Sequence, residues 1–243
     1  MGAGALPIQA VVFDWGGTLT PWHTVDPRQM WLAYAAQYDP ADADALATRL
    51  HAAEEAAWVA GRDRHAAATL GAVLRAAGVD PEDDRHRAAL AAYEHAWEPH
   101  TWTDPHAGPL LAALRRRGLR VGVLSNTLWS RDYHERVFAR DGVLGYLDGA
   151  VYSSEIAYVK PHPEAFAAAL AAVRVKDPAR AVFVGDRLFD DVYGAGSVGM
   201  RTVFVPHSSI PDHQRGHSEG TPDAVVHALA DVLGVVDRWL GGV

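Results

Sequence analysis

Two spacings of apolar residues alternate along this chain, and they sort it into two kinds of structure. Ala10-Val11-Val12-Phe13, Arg120-Val121-Gly122-Val123-Leu124 and Ala181-Val182-Phe183-Val184 are short, nearly unbroken apolar runs, each followed within a few residues by Gly, Ser or Asn. Runs of that length predict strands buried on both faces, as in a parallel sheet. Thr202-Val203-Phe204-Val205 repeats the signal. Between these runs lie helical stretches, such as Leu110 to Arg117 closed by Gly118, and the Ala-rich stretch from Pro163 to Val173. Strands alternating with helices predict an α/β fold, a parallel sheet with helices on both faces.

Residues 21–104 break the alternation. Trp31, Leu32, Tyr34, Ala35 and Tyr38, then Leu46, Leu50, Ala53, Ala57 and Trp58, recur at three- and four-residue steps with no strand run among them. The expected organisation is therefore an α/β core from residues 1–20 and 105–243, carrying an all-helical insert over 21–104. Trp31, Trp58, Trp97 and Trp102 of the insert are expected to serve packing in preference to forming a ligand cage.

The polar residues with chemical potential cluster where the strands end. Asp14 follows the first run and opens Asp14-Trp15-Gly16-Gly17-Thr18-Leu19; Ser125-Asn126 follow the second; Gly185-Asp186, with Asp190-Asp191 close behind, follow the third. The carboxyl edge of a parallel sheet is where open α/β folds bind ligands. Lys160 opens Lys160-Pro161-His162-Pro163, whose prolines hold the backbone extended before a helix. This lysine stands out because the chain has only two, Lys160 and Lys176, against twenty arginines. Read alone, Ser125 also suits a cap for a helix starting near Trp129, and Asp190-Asp191 a charge pair at a helix N-terminus.

Composition narrows the partners. A length of 243 residues, 49% hydrophobic and 21% charged, is ordinary for a globular chain. A net charge of -8 disfavours nucleic acid and anionic membranes, which need a basic face. With no cysteine there is no disulfide and no thiolate chemistry. No stretch approaches the roughly 20 apolar residues of a membrane helix, and Met1 to Gln9 lacks a signal-peptide pattern, so a cytoplasmic location is expected. Monomer and dimer are equally open.

Four motifs in order, an Asp-initiated loop, a Ser after a strand, a Lys and an acidic Gly-Asp loop, resemble those of the haloacid dehalogenase superfamily, and the resemblance spans most of the chain. It implies a Rossmann-like core with a helical cap over residues 21–104 that closes on the site and selects the substrate. It further implies a Mg²⁺-dependent hydrolase, foremost a phosphatase of a small phosphorylated metabolite. Asp14 would attack phosphorus and form an aspartyl-phosphate. Asp14, the carbonyl of Gly16, Asp186 and Asp191 would hold Mg²⁺, with Asp190 orienting them. Lys160 would neutralise anionic oxygens and keep Asp14 ionised, and Gly17, Thr18, Ser125 and Asn126 would donate hydrogen bonds to phosphate.

Gly16 departs from the pattern. Phosphatases of the superfamily usually carry a second Asp two residues after the nucleophile, as general acid and base, and losing such a group costs on the order of 10²- to 10⁴-fold. A good leaving group, a substitute acid such as His23, or a catalytically weak chain binding a phosphorylated ligand or a protein partner would each answer the loss. Phosphonate-cleaving relatives use a cap lysine, and residues 21–104 contain none. Dehalogenating relatives need no metal, which leaves Asp186, Asp190 and Asp191 without a purpose, so that reading ranks lower. Gly194-Ala195-Gly196-Ser197-Val198-Gly199 matches GxGxxG in the wrong order of elements for a dinucleotide site. His207, His213 and His217 read as a solvated loop in preference to a zinc site. Trp15 and Trp22 lie near enough to Asp14 in sequence to shape its pocket.

Overall fold

The structure is a computed structural model that describes residues 7–206 and 217–241. Six strands, β1 (Ala10–Phe13), β2 (Arg120–Ser125), β3 (Gly149–Tyr152), β4 (Ala181–Gly185), β5 (Arg201–Phe204) and β6 (Ala224–Val225), form one sheet in the order β3-β2-β1-β4-β5-β6. Every pairing is parallel, and β1 lies between β2 and β4 with Phe13 opposite both Val123 and Val184. The three motif-bearing strands are thus neighbours, and their carboxyl ends open on one edge.

Alternation along each strand feeds two apolar layers. Val11, Phe13, Val121, Val123, Val182 and Val184 pack with α5 (Ala107–Arg116), α6 (Arg131–Arg140) and the C-terminal α9 (Val232–Gly241). Ala10, Val12, Leu124, Ala181 and Phe183 pack on the other side with α7 (Pro163–Ala172) and α8 (Gly194–Ser197). Each fully buried Val, Leu or Phe stabilises by about 1.5–3 kcal/mol, so strands apolar on both faces are held on both sides. Strand β3 carried no clear sequence signal, because Gly149-Ala150 is a weak strand former and only Val151 and Tyr152 are buried in it.

Four helices occupy the insert: α1 (Pro27–Tyr38), α2 (Ala43–Arg64), α3 (Leu70–Ala76) and α4 (Asp84–Trp97). Side chains of Asp26, Thr69 and Asp83 accept from the first-turn amides of α1, α3 and α4, which sets where those helices begin. The interior gathers Trp31, Tyr34, Leu46, Leu50, Val73, Leu74 and Tyr93, with Trp31 stacked on Tyr93 at 4.2 Å. Two of the four insert tryptophans do not pack inside: Trp58 is 39% exposed and Trp102 is 49% exposed, with the Arg140 guanidinium 3.8 Å over the Trp102 ring. The amphipathic indole tolerates a wet face, so helical spacing alone did not bury them.

The insert is tied to the rest of the chain by main-chain hydrogen bonds. Ala67 N donates to Ala157 O at 3.0 Å, Val159 N to His65 O at 3.0 Å, and Leu70 N to Leu128 O at 2.9 Å. Leu128 also joins the insert's apolar cluster. Among the described residues no helix is long and apolar enough to cross a membrane. The glycine pattern from Gly194 falls in α8 and the turn before β5, so strand-glycine-helix order is absent there. A β-carbon at Gly194 would lie 2.6 Å from the Phe166 ring, which makes that glycine a packing requirement. His207 and His213 lie outside the described residues; His217 is exposed, its ring 4.8 Å from that of Phe189.

Candidate active site

Asp14 continues β1 by one residue, and its amide donates to Val184 O of β4 at 2.9 Å. The chain then turns sharply: Trp15 O accepts from Thr18 N at 3.2 Å and from Thr20 N at 3.0 Å, while Gly17 N donates to Thr20 O at 3.1 Å. Gly17 has φ of +91°, and a β-carbon there would lie 2.5 Å from Asp186 Oδ2, so both backbone and contact require glycine. Gly16 differs: it is exposed and a β-carbon would meet nothing within 4 Å. The turn also corrects one expectation. The Gly17 and Thr18 amides are spent inside it, and the buried Thr18 hydroxyl has no partner among the described residues.

Lys160 is 3% exposed and joins two carboxylates: its Nζ lies 2.6 Å from Asp14 Oδ1 and 2.6 Å from Asp191 Oδ1. Asn126 holds that lysine by its backbone, accepting from Lys160 N at 2.8 Å and donating to Lys160 O at 3.1 Å. Its side-chain amide thereby braces the lysine. Ser125 is buried at the end of β2 and does not cap a helix; α6 begins beyond it, capped by Ser130, whose hydroxyl accepts from Tyr133 N at 3.3 Å.

The acidic loop closes the cluster. Arg187 N donates to Asp191 Oδ2 at 2.9 Å, and Leu188–Tyr193 wind into a π-helix that carries Asp190 and Asp191. Asp191 therefore has one oxygen on Lys160 and the other on a backbone amide. Asp186 is 4% exposed, and neither of its oxygens accepts a hydrogen bond among the described residues; Arg187 Nε stands 3.5 Å from Oδ2. Asp14, Asp186 and Asp191 each offer an oxygen within 4.8 Å of the others.

Three buried carboxylates gather around one buried ammonium, with the Arg187 guanidinium beside Asp186, and the ionisation equilibria register the crowding. Burial pushes Asp14 up to about 6, opposed by Lys160 and reinforced by Asp191. Burial, then Asp14 and Asp191, push Asp186 well above the usual carboxylate range. Burial followed by Asp191 raises the partly exposed Asp190 to about 6. Lys160 goes the other way: burial favours its neutral amine, but Asp14 and Asp191 overcome that and hold it above its ordinary value. Three buried carboxylates with oxygens this close, those of Asp186 without a hydrogen bond among the described residues, fit a hard divalent cation with oxygen ligands, the chemistry of Mg²⁺.

His23 is not brought into this cluster. It is exposed in the segment before α1, its ring 5.4 Å from that of His100, with no hydrogen bond among the described residues to Asp14, Ser125 or Lys160. Trp22 packs under the Arg187 guanidinium at 4.7 Å, and Trp15 sets its ring against His134 at 4.5 Å. Sequence reasoning passed over His134, Thr127 and Ser153, all buried beside the Ser125-Asn126 loop. Only Thr127 carried a signal, its position just after the motif strand β2.

The haloacid dehalogenase-like hydrolase family is matched by residues 8–199. Among relatives, the glyceraldehyde 3-phosphate phosphatase of Methanopyrus kandleri is 32% identical over 68% of this chain and 69% of its own length. The phosphoserine phosphatase of Thermus thermophilus is 32% identical over 66% of this chain and 60% of its own. Among solved structures, the 2-haloacid dehalogenase of Pseudomonas syringae superposes with a TM-score of 0.65 at 25% identity, over 96% of this chain and 99% of that one. A phosphatase from Thermococcus onnurineus superposes with the same TM-score, 0.65, at 24% identity, over 94% and 98%.

Proposed function

Because this chain belongs to the haloacid dehalogenase-like hydrolase family, we propose that it hydrolyses phosphate esters of small metabolites, with Asp14 as nucleophile. The observation that carries the reading is the join of Lys160 to Asp14 and Asp191, beside an Asp186 whose oxygens are buried and unbonded. The names of the Methanopyrus and Thermus relatives support the same reaction class.

Asp14 attacks phosphorus, the bond from phosphorus to the leaving oxygen breaks, and water later cleaves the aspartyl-phosphate to free the carboxylate and inorganic phosphate. Lys160 keeps Asp14 ionised for the attack and neutralises the transferring oxygens. Ser125 and the Thr18 hydroxyl donate to those oxygens, and Asn126 acts one step back by fixing Lys160. Asp14, the Gly16 carbonyl and Asp186 would hold Mg²⁺, which when bound offsets the like-charge repulsion between carboxylate and phosphate. Asp191 faces the same space, but with Lys160 and the Arg187 amide on its two oxygens it chiefly steers the lysine. Asp190 reinforces the local negative charge. The helices of residues 21–104 are the cap, closing the site from above the Lys160 segment.

With glycine at 16 no carboxyl stands ready to protonate the leaving group. The favoured substrates are therefore those whose leaving groups need no proton, acyl and aryl phosphates. Phosphate release with Mg²⁺ from acyl, aryl and alkyl phosphates, compared between wild type and Asp14→Asn, tests this. Release from acyl and aryl substrates that the mutant loses is the expected result, and equal turnover of alkyl phosphates would show that another group supplies the proton. The likeness to the Pseudomonas dehalogenase, together with the missing acid, favours carbon–halogen cleavage as the second reading. Halide release from 2-haloacids without phosphate release would establish it, and silence on both would leave a ligand-binding protein.

A further inference from the structure

Behind the site lies a polar group that the proposed chemistry does not use. His134, on α6, has no solvent exposure; its ring stacks flat on Tyr152 at 4.4 Å and meets Trp15 edge-on at 4.5 Å. Its Nε2 is 3.0 Å from Thr127 Oγ1. The Thr127 hydroxyl accepts from Trp129 N at 3.0 Å and keeps a proton that it can donate to the imidazole Nε2. With that donation His134 is neutral and carries its proton on Nδ1. Burial, followed by the nearby Arg131, lowers its pKa to about 3, in keeping with a neutral ring.

Thr127 is also clamped by Ser153, whose hydroxyl accepts from Thr127 N at 2.8 Å and donates to Thr127 O at 3.0 Å. Thr127 follows Asn126, and Asn126 grips the Lys160 backbone. One imidazole thus touches the loop that places Ser125 and holds Lys160, and also the residue that follows Asp14.

We propose that His134 is the positioning residue of the site, a neutral imidazole that accepts from Thr127 and braces Trp15, fixing the Ser125–Thr127 loop and the Asp14 turn relative to each other. The proposal rests on the hydrolase reading only for its kinetic readout. A purely structural role is distinguishable, because His134 Nδ1 is buried without a partner among the described residues. Replacing the ring by phenylalanine removes that cost and keeps the stacking but takes the acceptor from the Thr127 hydroxyl, so His134→Phe is expected to melt within a few degrees of wild type.

The test compares wild type, His134→Phe, Thr127→Val, the double variant and Thr127→Ser. Readouts are kcat and KM on an acyl phosphate, melting temperature, inorganic phosphate binding by calorimetry with Mg²⁺, and ¹⁵N shifts of the histidine rings. Misplacement of reacting groups by about 1 Å costs on the order of 10²-fold. The expected result is a 10- to 100-fold fall in kcat in both His134→Phe and Thr127→Val at little change in KM. The double variant should be no worse than either single one, Thr127→Ser should recover most of the rate, and wild-type His134 should show the Nδ1–H tautomer. Unchanged kcat in folded His134→Phe, losses that multiply in the double variant, or the Nε2–H tautomer would each overturn the proposal. A wild type that turns over no substrate would sink the phosphatase reading alone, provided it binds phosphate and His134 shows the Nδ1–H tautomer. A wild type that does neither would overturn both.

Discussion

A β-carbon on Gly17 would stand 2.5 Å from Asp186 Oδ2, so the turn after Asp14 and the acidic loop after β4 are in direct contact through a position that only glycine fills. Gly17 also has φ of +91°. Gly17→Ala would push Asp186 off its place and strain the turn by about 1–3 kcal/mol. The expected outcome is a melting point several degrees lower and loss of most phosphate release, and a variant with full activity would show that Asp186 need not be where it is.

Gly16 has neither constraint, since a side chain there meets nothing within 4 Å. Gly16→Asp should fold with an unchanged melting point and introduce the missing acid. Alkyl phosphate turnover is expected to rise on the order of 10- to 10²-fold relative to aryl phosphate turnover. An unchanged ratio of the two would show that leaving-group protonation is already served by another group.

Neither oxygen of Asp186 has a hydrogen bond among the described residues, and the Arg187 guanidinium stands 3.5 Å away. Titrating Mg²⁺ into the protein should raise its melting temperature in a saturable way. The gain is about 2.7 kcal/mol at one hundred times the dissociation constant, or roughly 5–11 °C at this length. Asp186→Asn should abolish the gain, and a gain that persists in that variant would place the ion elsewhere.

Lys160 is the ammonium that joins Asp14 and Asp191. Lys160→Met fills similar volume but leaves buried carboxylates uncompensated, at a cost of about 3–5 kcal/mol. Thermal unfolding should shift down on the order of 10 °C, with activity lost, and calorimetry of the purified variant would register both the shift and any Mg²⁺ rescue.

Glu54 is buried in the insert and accepts from Trp31 Nε1 at 2.7 Å. Burial raises its pKa, and the Trp31 bond only partly opposes that. The folded state then binds the proton more tightly than the unfolded chain, whose Glu titrates near 4.3. Stability is lost as pH rises from that value through the folded-state pKa, and stays lost above it. Glu54→Gln keeps an acceptor for Trp31 and removes the titration. It should be more stable than wild type at pH 8, with the advantage shrinking toward pH 4; a difference independent of pH would refute the assignment.

Legibility followed burial. Strands β1, β2, β4 and β5 could be read because each is apolar on both faces, which leaves few alternatives for a short run. Strand β3 could not, since half of it is Gly149-Ala150 and its place beside β2 is a long-range choice. Helical spacing found the insert but left open the exposure of Trp58 and Trp102, which depends on what packs across from them. Asp14, Lys160, Asp186 and Asp191 were named from motifs, and the geometry assembles them. His134 was invisible because Arg131-Asp132-Tyr133-His134-Glu135-Arg136 reads as a polar helix face, and only stacking on Tyr152 and Trp15 buries it.

The sequence by itself determined the order of elements, the helical insert and the residue types at the sheet edge, because periodicity and turn chemistry are local properties of the chain. Only the tertiary structure decided how those residues are employed. Asn126 and the Gly17 and Thr18 amides turned out to be bound within the protein, Asp186 turned out to be unbonded, and a neutral histidine came to lie against two site loops. Partnering of a buried polar group depends on atoms brought together across the fold, and the cost of leaving one unsatisfied in a low-dielectric interior makes those pairings decisive.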